Sequence, residues 1–126
     1  MNIMEAMQAR HSVRQFTDRP LEDWVIAELE REISACNRES GLNIQLVVNE
    51  PRAFDGFMAH YGKFSGVANY IALIGKKSPE LEQTCGYYGE RLVLMAQQLG
   101  LNSCWVAMTY SKVRTAFTVG GGEKLC

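Results

Sequence analysis

A chain of 126 residues with 47% apolar residues is long enough to bury one hydrophobic core, and its length predicts a single domain spanning residues 1–126. The formal net charge of -1 excludes a general electrostatic attraction to nucleic acid or to an anionic membrane surface. Polar residues interrupt every apolar run near the N-terminus, which predicts neither a signal peptide nor a membrane span. Four scattered cysteines without CxxC or metal-ligand spacing predict reduced thiols, no metal site and a cytoplasmic protein.

The first predicted elements are two amphipathic helices. Residues 2–10 predict a short helix in which Asn2 can act as the N-cap. Residues 19–36 predict a second helix, because apolar residues recur there at helical spacing. The apolar stripe of the second helix is Val25, Leu29, Ile33 and Cys36. Its candidate start signals are Thr17, Asp18 and Pro20.

Three short apolar runs predict strands. Residues 42–49 are rich in branched apolar residues, and residues 69–75 form a nearly continuous apolar run between polar flanks. Residues 103–107, with the sequence SCWVA, predict a third strand. Residues 54–62, between the first two strands, predict a short helix or an irregular segment.

Residues 78–100 predict the longest helix, with Gly100 as a plausible C-terminal cap. Its apolar stripe is Leu81, Cys85, Tyr88, Leu92, Met95 and Leu99. Gly86 and Gly89 lie inside the helix, where each costs about 1 kcal/mol relative to alanine. This cost suggests close packing of the helix against another backbone or a ligand.

The C-terminal part predicts one more helical segment, at residues 111–117, followed by a glycine-rich turn. The final residues, EKLC, resemble the beginning of a further strand, which suggests a fragment or a truncated sequence. Helices thus alternate with short buried strands, and this order predicts a layered domain of the α/β or α+β class.

Two sequence blocks carry a family resemblance. The block AMQARHSVRQFTDRPL, residues 6–21, resembles the N-terminal signature of the nitroreductase family of flavoproteins, which contains Arg-x-Ser-x-Arg after an opening helix. The block LVLMAQQLGLNSCWVAMT, residues 92–109, resembles the second recognisable block of the family. The segments NIQLVVNEP and NYIALIGK are most similar to the subgroup called Putative TM nitroreductase.

The resemblance implies a nitroreductase-like α+β fold, a three-layer α/β/α sandwich with a mixed sheet flanked by helices. It also implies an intertwined homodimer that binds FMN at its interface. The implied activity is hydride transfer from NADH or NADPH, through the flavin, to a nitroaromatic, a quinone or a similar small-molecule acceptor. The alternative is a flavin-binding protein without significant turnover, a sensor or a carrier. A third possibility is a dimeric remnant with an empty cleft. The resemblance also leads us to expect that the family's C-terminal strand and arm are missing from this sequence.

The resemblance assigns Arg10, His11, Ser12 and Arg14 to the FMN phosphate. Guanidinium groups bind phosphate through paired donors in a planar fork, and a serine hydroxyl can donate to phosphate or ribityl oxygens. Without the resemblance, the same residues would be interpreted as a solvated basic turn between two helices.

The resemblance assigns five further residues to the ring and ribityl end of the flavin. Asn43 and Gln45 match the family's Asn-x-Gln, although the usual following Pro-Trp is absent; a polar strand entrance is the alternative. Lys63 lies near a position that approaches the pyrimidine edge, and a solvated lysine is its alternative. The backbone N–H of Ala107 or Met108 is expected to face flavin N5, with an ordinary strand end as the alternative.

The chemistry requires no catalytic side chain, because the flavin would carry the redox step. Trp105 is expected in the core, and His60 is expected to be structural or exposed. Tyr87 and Tyr88 are candidates for the substrate side of the flavin, although helical spacing favours the core for Tyr88.

Overall fold

The computed structural model describes residues 1–17, 19–54, 66–106 and 116–126. Three helices lie in these ranges, and they are named α1, α2 and α3 in chain order. They span Ile3–Ala9, Asp23–Ser40 and Leu81–Gln98, respectively. Both α1 and α2 pack against α3, so α3 is the central helix of the described chain.

The described strands form two antiparallel pairs. The four strands, β1 to β4 in chain order, span Gln45–Val47, Tyr70–Ala72, Ile74–Lys76 and Glu123–Leu125. β1 pairs with β2, with Leu46 opposite Ile71, and β3 pairs with β4, with Gly75 opposite Lys124. A short 3₁₀ helix, Pro51–Phe54, follows β1.

The hydrophobic core lies between α2, α3 and the strands. The stripe predicted for the second helix is confirmed, because all four of its members are buried. Leu81, Cys85 and Leu92 of the predicted α3 stripe are buried as well, and Tyr88 packs against them. Leu42 and Ile44, just before and at the entry to β1, complete this cluster. The helical periodicities therefore identified most of the core, but the prediction is wrong near the end of α3, where Met95 is half-buried and its neighbours Leu94 and Ala96 are buried instead.

The short helix α1 begins as the sequence predicts. The Asn2 side chain accepts a hydrogen bond from the Glu5 N–H at 2.8 Å, and the Glu5 carboxylate accepts one from the Asn2 N–H at 3.0 Å. This reciprocal capping box satisfies two of the N–H groups at the helix start. Ala6 is the buried residue of α1. The large apolar residues of its other faces, Ile3, Met4 and Met7, are exposed.

The start predicted for the second helix is wrong. α2 begins at Asp23 with Glu22 as N-cap, so Thr17 and Pro20 precede the helix and Asp18 lies outside the described residues. Leu21 packs against the cluster formed by Val25 and its neighbours, and Glu22 is still in an extended conformation. The helix also runs further than predicted, because its stop is Gly41 at a left-handed φ of 77°.

Two strand predictions need correction. The run 69–75 is divided into β2, which pairs with β1, and β3, which pairs with β4; Leu73 lies between the two strands. In 103–107, Ser103 makes an isolated parallel bridge to Ser12, and residues 104–106 are not in a strand. Residues 55–65 and 107–115, which include parts of two predicted helices, lie outside the described residues.

The C-terminal residues confirm the predicted strand and correct the predicted thiols. Residues 123–125 of EKLC form β4 against β3. Cys126, directly after β4, is paired with Cys85 of α3 in a disulfide. The prediction of four reduced thiols is therefore wrong for this pair, whereas Cys36 and Cys104 are free.

Candidate functional site

The stretch after α1 leaves the helix in an extended conformation. Arg10 is the C-cap residue, with φ -66° and ψ 129°, and its N–H still donates to the Ala6 carbonyl at 2.9 Å. Two residues later, Ser12 forms its parallel bridge with Ser103. Ser12 and Arg14 are exposed, and Arg10 is half-buried. The predicted Arg-x-Ser-x-Arg group therefore lies on a chain segment that is fixed to a distant part of the sequence.

Ser103 joins the two sequence blocks that carried the family resemblance. Its carbonyl accepts a hydrogen bond from the Val13 N–H at 3.0 Å. The same carbonyl accepts from Arg10 Nη2 at 3.4 Å, and the Ser103 hydroxyl accepts from Arg10 Nε at 3.3 Å. The sequence predicts Ser103 only as the first residue of a short strand and gives it no role in the site. No local sequence pattern indicates that Ser103 contacts Arg10, because the two residues are 93 positions apart.

The donor set around Arg10 has the chemistry of an anion site. A guanidinium has five N–H donors, and Ser103 is the only partner of Arg10 among the described side-chain contacts. The exposed Arg14 guanidinium and Ser12 hydroxyl are close by in the chain. Two guanidinium groups and a hydroxyl suit a phosphate dianion, so these residues fit the phosphate end of FMN. His11 is also exposed, and its Nδ1 lies 3.1 Å from the Ala9 carbonyl oxygen.

The predicted amide pair has a different environment. The Gln45 amide makes two hydrogen bonds to the backbone of Thr118: Nε2 donates to the carbonyl at 2.6 Å, and Oε1 accepts from the N–H at 2.9 Å. Asn43 Nδ2 lies 3.3 Å from both the Thr118 carbonyl and Glu123 Oε1. The structure therefore brings Asn43 and Gln45 together at the C-terminal segment. Lys63, Ala107, Met108 and His60 lie outside the described residues.

The two glycines of α3 differ in their surroundings. A Cβ on Gly89 would lie 2.5 Å from the Trp105 ring and 3.0 Å from a Leu73 methyl group. A Cβ on Gly86 would meet nothing within 4 Å. The close packing expected from both glycines is therefore present at Gly89, where the neighbour is a side chain and not a backbone.

The prediction that Trp105 belongs to the core is wrong. Trp105 is 43% exposed, and its Nε1 donates to the Glu90 carboxylate at 2.9 Å. The ring lies on Gly89 while its N–H reaches a charged surface residue, as suits an amphipathic side chain. Tyr88 packs against the core as expected, whereas Tyr87 is 68% exposed and meets the Tyr88 ring edge-on.

A charged network joins the two long helices. Arg91 of α3 donates from Nε to Glu32 at 2.6 Å and from Nη1 to Glu39 at 2.5 Å. Both hydrogen bonds raise the pKa of the Arg91 guanidinium, and the bond to Glu32 has the larger effect. Burial raises the pKa of the neighbouring Cys36 thiol, and the positive charge of Arg91 opposes this rise. The network contains none of the predicted site residues, and it links α2 to α3 through ion pairs that are partly exposed to solvent.

The described residues contain neither a candidate metal centre nor a helix that could cross a membrane. No group of three or more His, Cys, Asp or Glu residues in them could hold a metal ion. None of the helices described here combines the length and the apolar character that a membrane crossing requires.

Comparison with known proteins identifies the class of the fold. The chain resembles the crystal structure of a nitroreductase-like family protein from Bacillus cereus, with a TM-score of 0.65 and 19% sequence identity. The match covers 99% of this chain and 81% of that chain. This likeness confirms the nitroreductase-like α+β fold. A comparison with curated proteins gave no significant match.

The family follows from the sequence match. The family model described as Putative TM nitroreductase matches residues 2–126, and the chain belongs to that family. The matched range includes both blocks on which the resemblance was based. Membership of this family makes the protein an oxidoreductase by class.

Proposed function

We propose that the protein is an FMN-dependent NAD(P)H oxidoreductase. The observation that carries this proposal is the group of donors after α1: the Arg10 guanidinium held against Ser103, beside the exposed Ser12 and Arg14. When bound, FMN supplies the hydride-transfer chemistry that links NADH or NADPH to a small-molecule acceptor such as a nitroaromatic or a quinone.

The chain's own residues would bind and orient the cofactor. Arg10 and Arg14 would neutralise the phosphate, with Ser12 and His11 as further polar contacts at that end. Asn43, Gln45 and Lys63 are proposed contacts of the ring and ribityl end. For the two amides, this role requires that their hydrogen bonds to Thr118 be exchanged for bonds to the flavin. The N–H of Ala107 or Met108 is the proposed donor to flavin N5.

We further propose that the active form is a homodimer of a single domain. Support for a second copy comes from α1, whose large apolar side chains face solvent in the single chain. Their exposed fractions are 44% for Ile3, 61% for Met4 and 54% for Met7. Exposed apolar groups gathered on one short helix are typical of protein–protein contacts.

The test uses the visible spectrum of the purified protein. Flavin absorbance that co-purifies with the protein, and that bleaches under anaerobic conditions on addition of NADH or NADPH, is the expected result. Retained flavin that does not bleach would support the alternative of a sensor or carrier. A colourless protein that does not bind added FMN would contradict the proposal, and sedimentation of the same sample tests the dimer.

A further inference from the structure

Ser103 receives hydrogen bonds from both the backbone and the side chain of the Arg10–Val13 stretch. The Val13 N–H reaches its carbonyl at 3.0 Å, and the parallel bridge places Ser12 beside it. These backbone contacts do not depend on the identity of the side chain at position 103. The hydroxyl of Ser103 is therefore free to serve a separate purpose, and its partner is Arg10 Nε.

The two contacts from Arg10 use one edge of its guanidinium. Nε and Nη2 donate to the hydroxyl and the carbonyl of the same residue, at 3.3 Å and 3.4 Å. Because the guanidinium is planar, fixing one edge sets the orientation of the whole group. Nη1 has no hydrogen-bond partner among the described residues, so its donors stay available to a ligand.

We propose that Ser103 is a positioning residue that orients the Arg10 guanidinium toward an anionic group, the phosphate of FMN; this inference rests on the proposed function. An arginine side chain loses considerable rotamer entropy when it is fixed by a ligand. A partner that orders the side chain beforehand lowers this cost, and the gain appears as ligand affinity. Ser103 thus acts on the ligand through Arg10, without touching it.

The experiment compares FMN with riboflavin, which lacks the phosphate, in binding titrations on the full chain. Ser103→Ala removes the hydroxyl and keeps every backbone contact. We expect it to weaken FMN binding by about three- to tenfold, the usual worth of one hydrogen bond, with riboflavin binding nearly unchanged. Ser103→Thr keeps a hydroxyl and should restore FMN binding. In an Arg10→Ala background, Ser103→Ala should have no further effect on FMN, because its partner is gone.

Each other result overturns the inference. If Ser103→Ala binds FMN as the wild type does, the hydroxyl does not position Arg10, although the proposed function survives. If Ser103→Ala weakens FMN and riboflavin binding equally, or if Ser103→Thr does not restore FMN binding, position 103 acts only on the fold. The same conclusion follows if the losses of FMN affinity in Arg10→Ala and Ser103→Ala add up in the double variant. If the wild-type protein binds neither flavin, the inference and the proposed function both fail.

Discussion

The two groups of residues that the sequence assigned to one cofactor differ in how the chain uses them. Arg10, Ser12 and Arg14 lie on an extended segment where, among the described residues, only Arg10 makes a side-chain hydrogen bond to a distant residue. Asn43 and Gln45 both bind Thr118 of the same chain. Residue types that suit a ligand are equally suited to a backbone, so the type alone does not decide which partner they meet.

Hydrogen-bond capacity accounts for the difference. Arginine has five donors, and Ser103 takes two, which leaves a surplus for a ligand. The Gln45 amide presents one carbonyl and one NH₂ group, and the Thr118 backbone matches both with its N–H and C=O. Arg10 is therefore fixed by Ser103 and still has unused donors, whereas both polar groups of the Gln45 amide are hydrogen-bonded to Thr118.

Replacing Arg10 or Arg14 with alanine should have the largest effect. Each loss of a charge-assisted contact should weaken FMN binding by about 1.5–3 kcal/mol and affect riboflavin much less. Titration of both flavins measures the effect. Arg38→Ala removes an equal charge from an exposed site on α2 and should change neither affinity. Equal losses of FMN and riboflavin in Arg10→Ala and Arg14→Ala would mean that these arginines support the fold, and the contrast between the two groups would disappear.

The second prediction concerns the contact between Gly89 of α3 and Trp105, which lies two residues after Ser103. Gly89→Ala should lower the free energy of unfolding by about 1–2 kcal/mol, because the added methyl group overlaps the Trp105 ring and the strain exceeds the gain in helix propensity. Gly86→Ala, its control on the same helix, should raise stability by up to about 1 kcal/mol. Denaturant unfolding measures both values. Equal stabilisation by the two substitutions would show that Trp105 moves aside freely.

The third prediction tests whether the amide group supports the fold. Gln45→Ala should lower the free energy of unfolding by about 1 kcal/mol, because it removes both hydrogen bonds to Thr118. Gln83→Ala, an exposed substitution in α3, is the matched control and should leave stability unchanged or slightly raised. Thermal unfolding compares the two variants. If Gln45→Ala is as stable as Gln83→Ala, the contact with Thr118 has no structural value.

The smallest effect is expected at Thr118 itself. Thr118→Pro removes the N–H that donates to Gln45 Oε1. It therefore weakens the interaction between Gln45 and Thr118, which the Gln45 amide would have to give up in order to bind a flavin ring. FMN and riboflavin should then bind tighter by about 0.5 kcal/mol each, because both carry the ring. Val119→Pro, at the next and exposed position, is the control. Unchanged or weaker binding of both flavins in Thr118→Pro would remove Gln45 from the proposed ring contacts.

The predictable part of this molecule was the part governed by local periodicity. The stripe at Val25, Leu29 and Ile33 and the cap at Asn2 depend on residues three or four positions apart, and the structure confirms them. The start of α2 was missed because Thr17, Asp18 and Pro20 all carry valid start signals, whereas the helix begins only at Asp23, after Leu21 has packed against the core.

The parts that could not be predicted depend on contacts across the chain. The sequence identified Arg10 and Gln45 as candidate ligand-binding residues, but it contained no sign that Ser103 and Thr118 would meet them. Trp105 was expected in the core because it is large and apolar, yet Glu90 offers its N–H a partner at the surface. The pairing of Cys85 with Cys126 likewise has no local signature.

The bridge between Ser12 and Ser103 also sets an order of events during synthesis. The N-terminal motif leaves the ribosome first, but the residue that holds Arg10 follows 93 positions later. At about 5–20 residues per second, the motif waits on the order of 5 to 20 s before its partner exists. Closing so long a loop adds an entropic cost, which burial of the hydrophobic core offsets. A nascent chain should therefore bury α2 before it can hold Arg10, and cofactor capture should be among the last steps of its maturation.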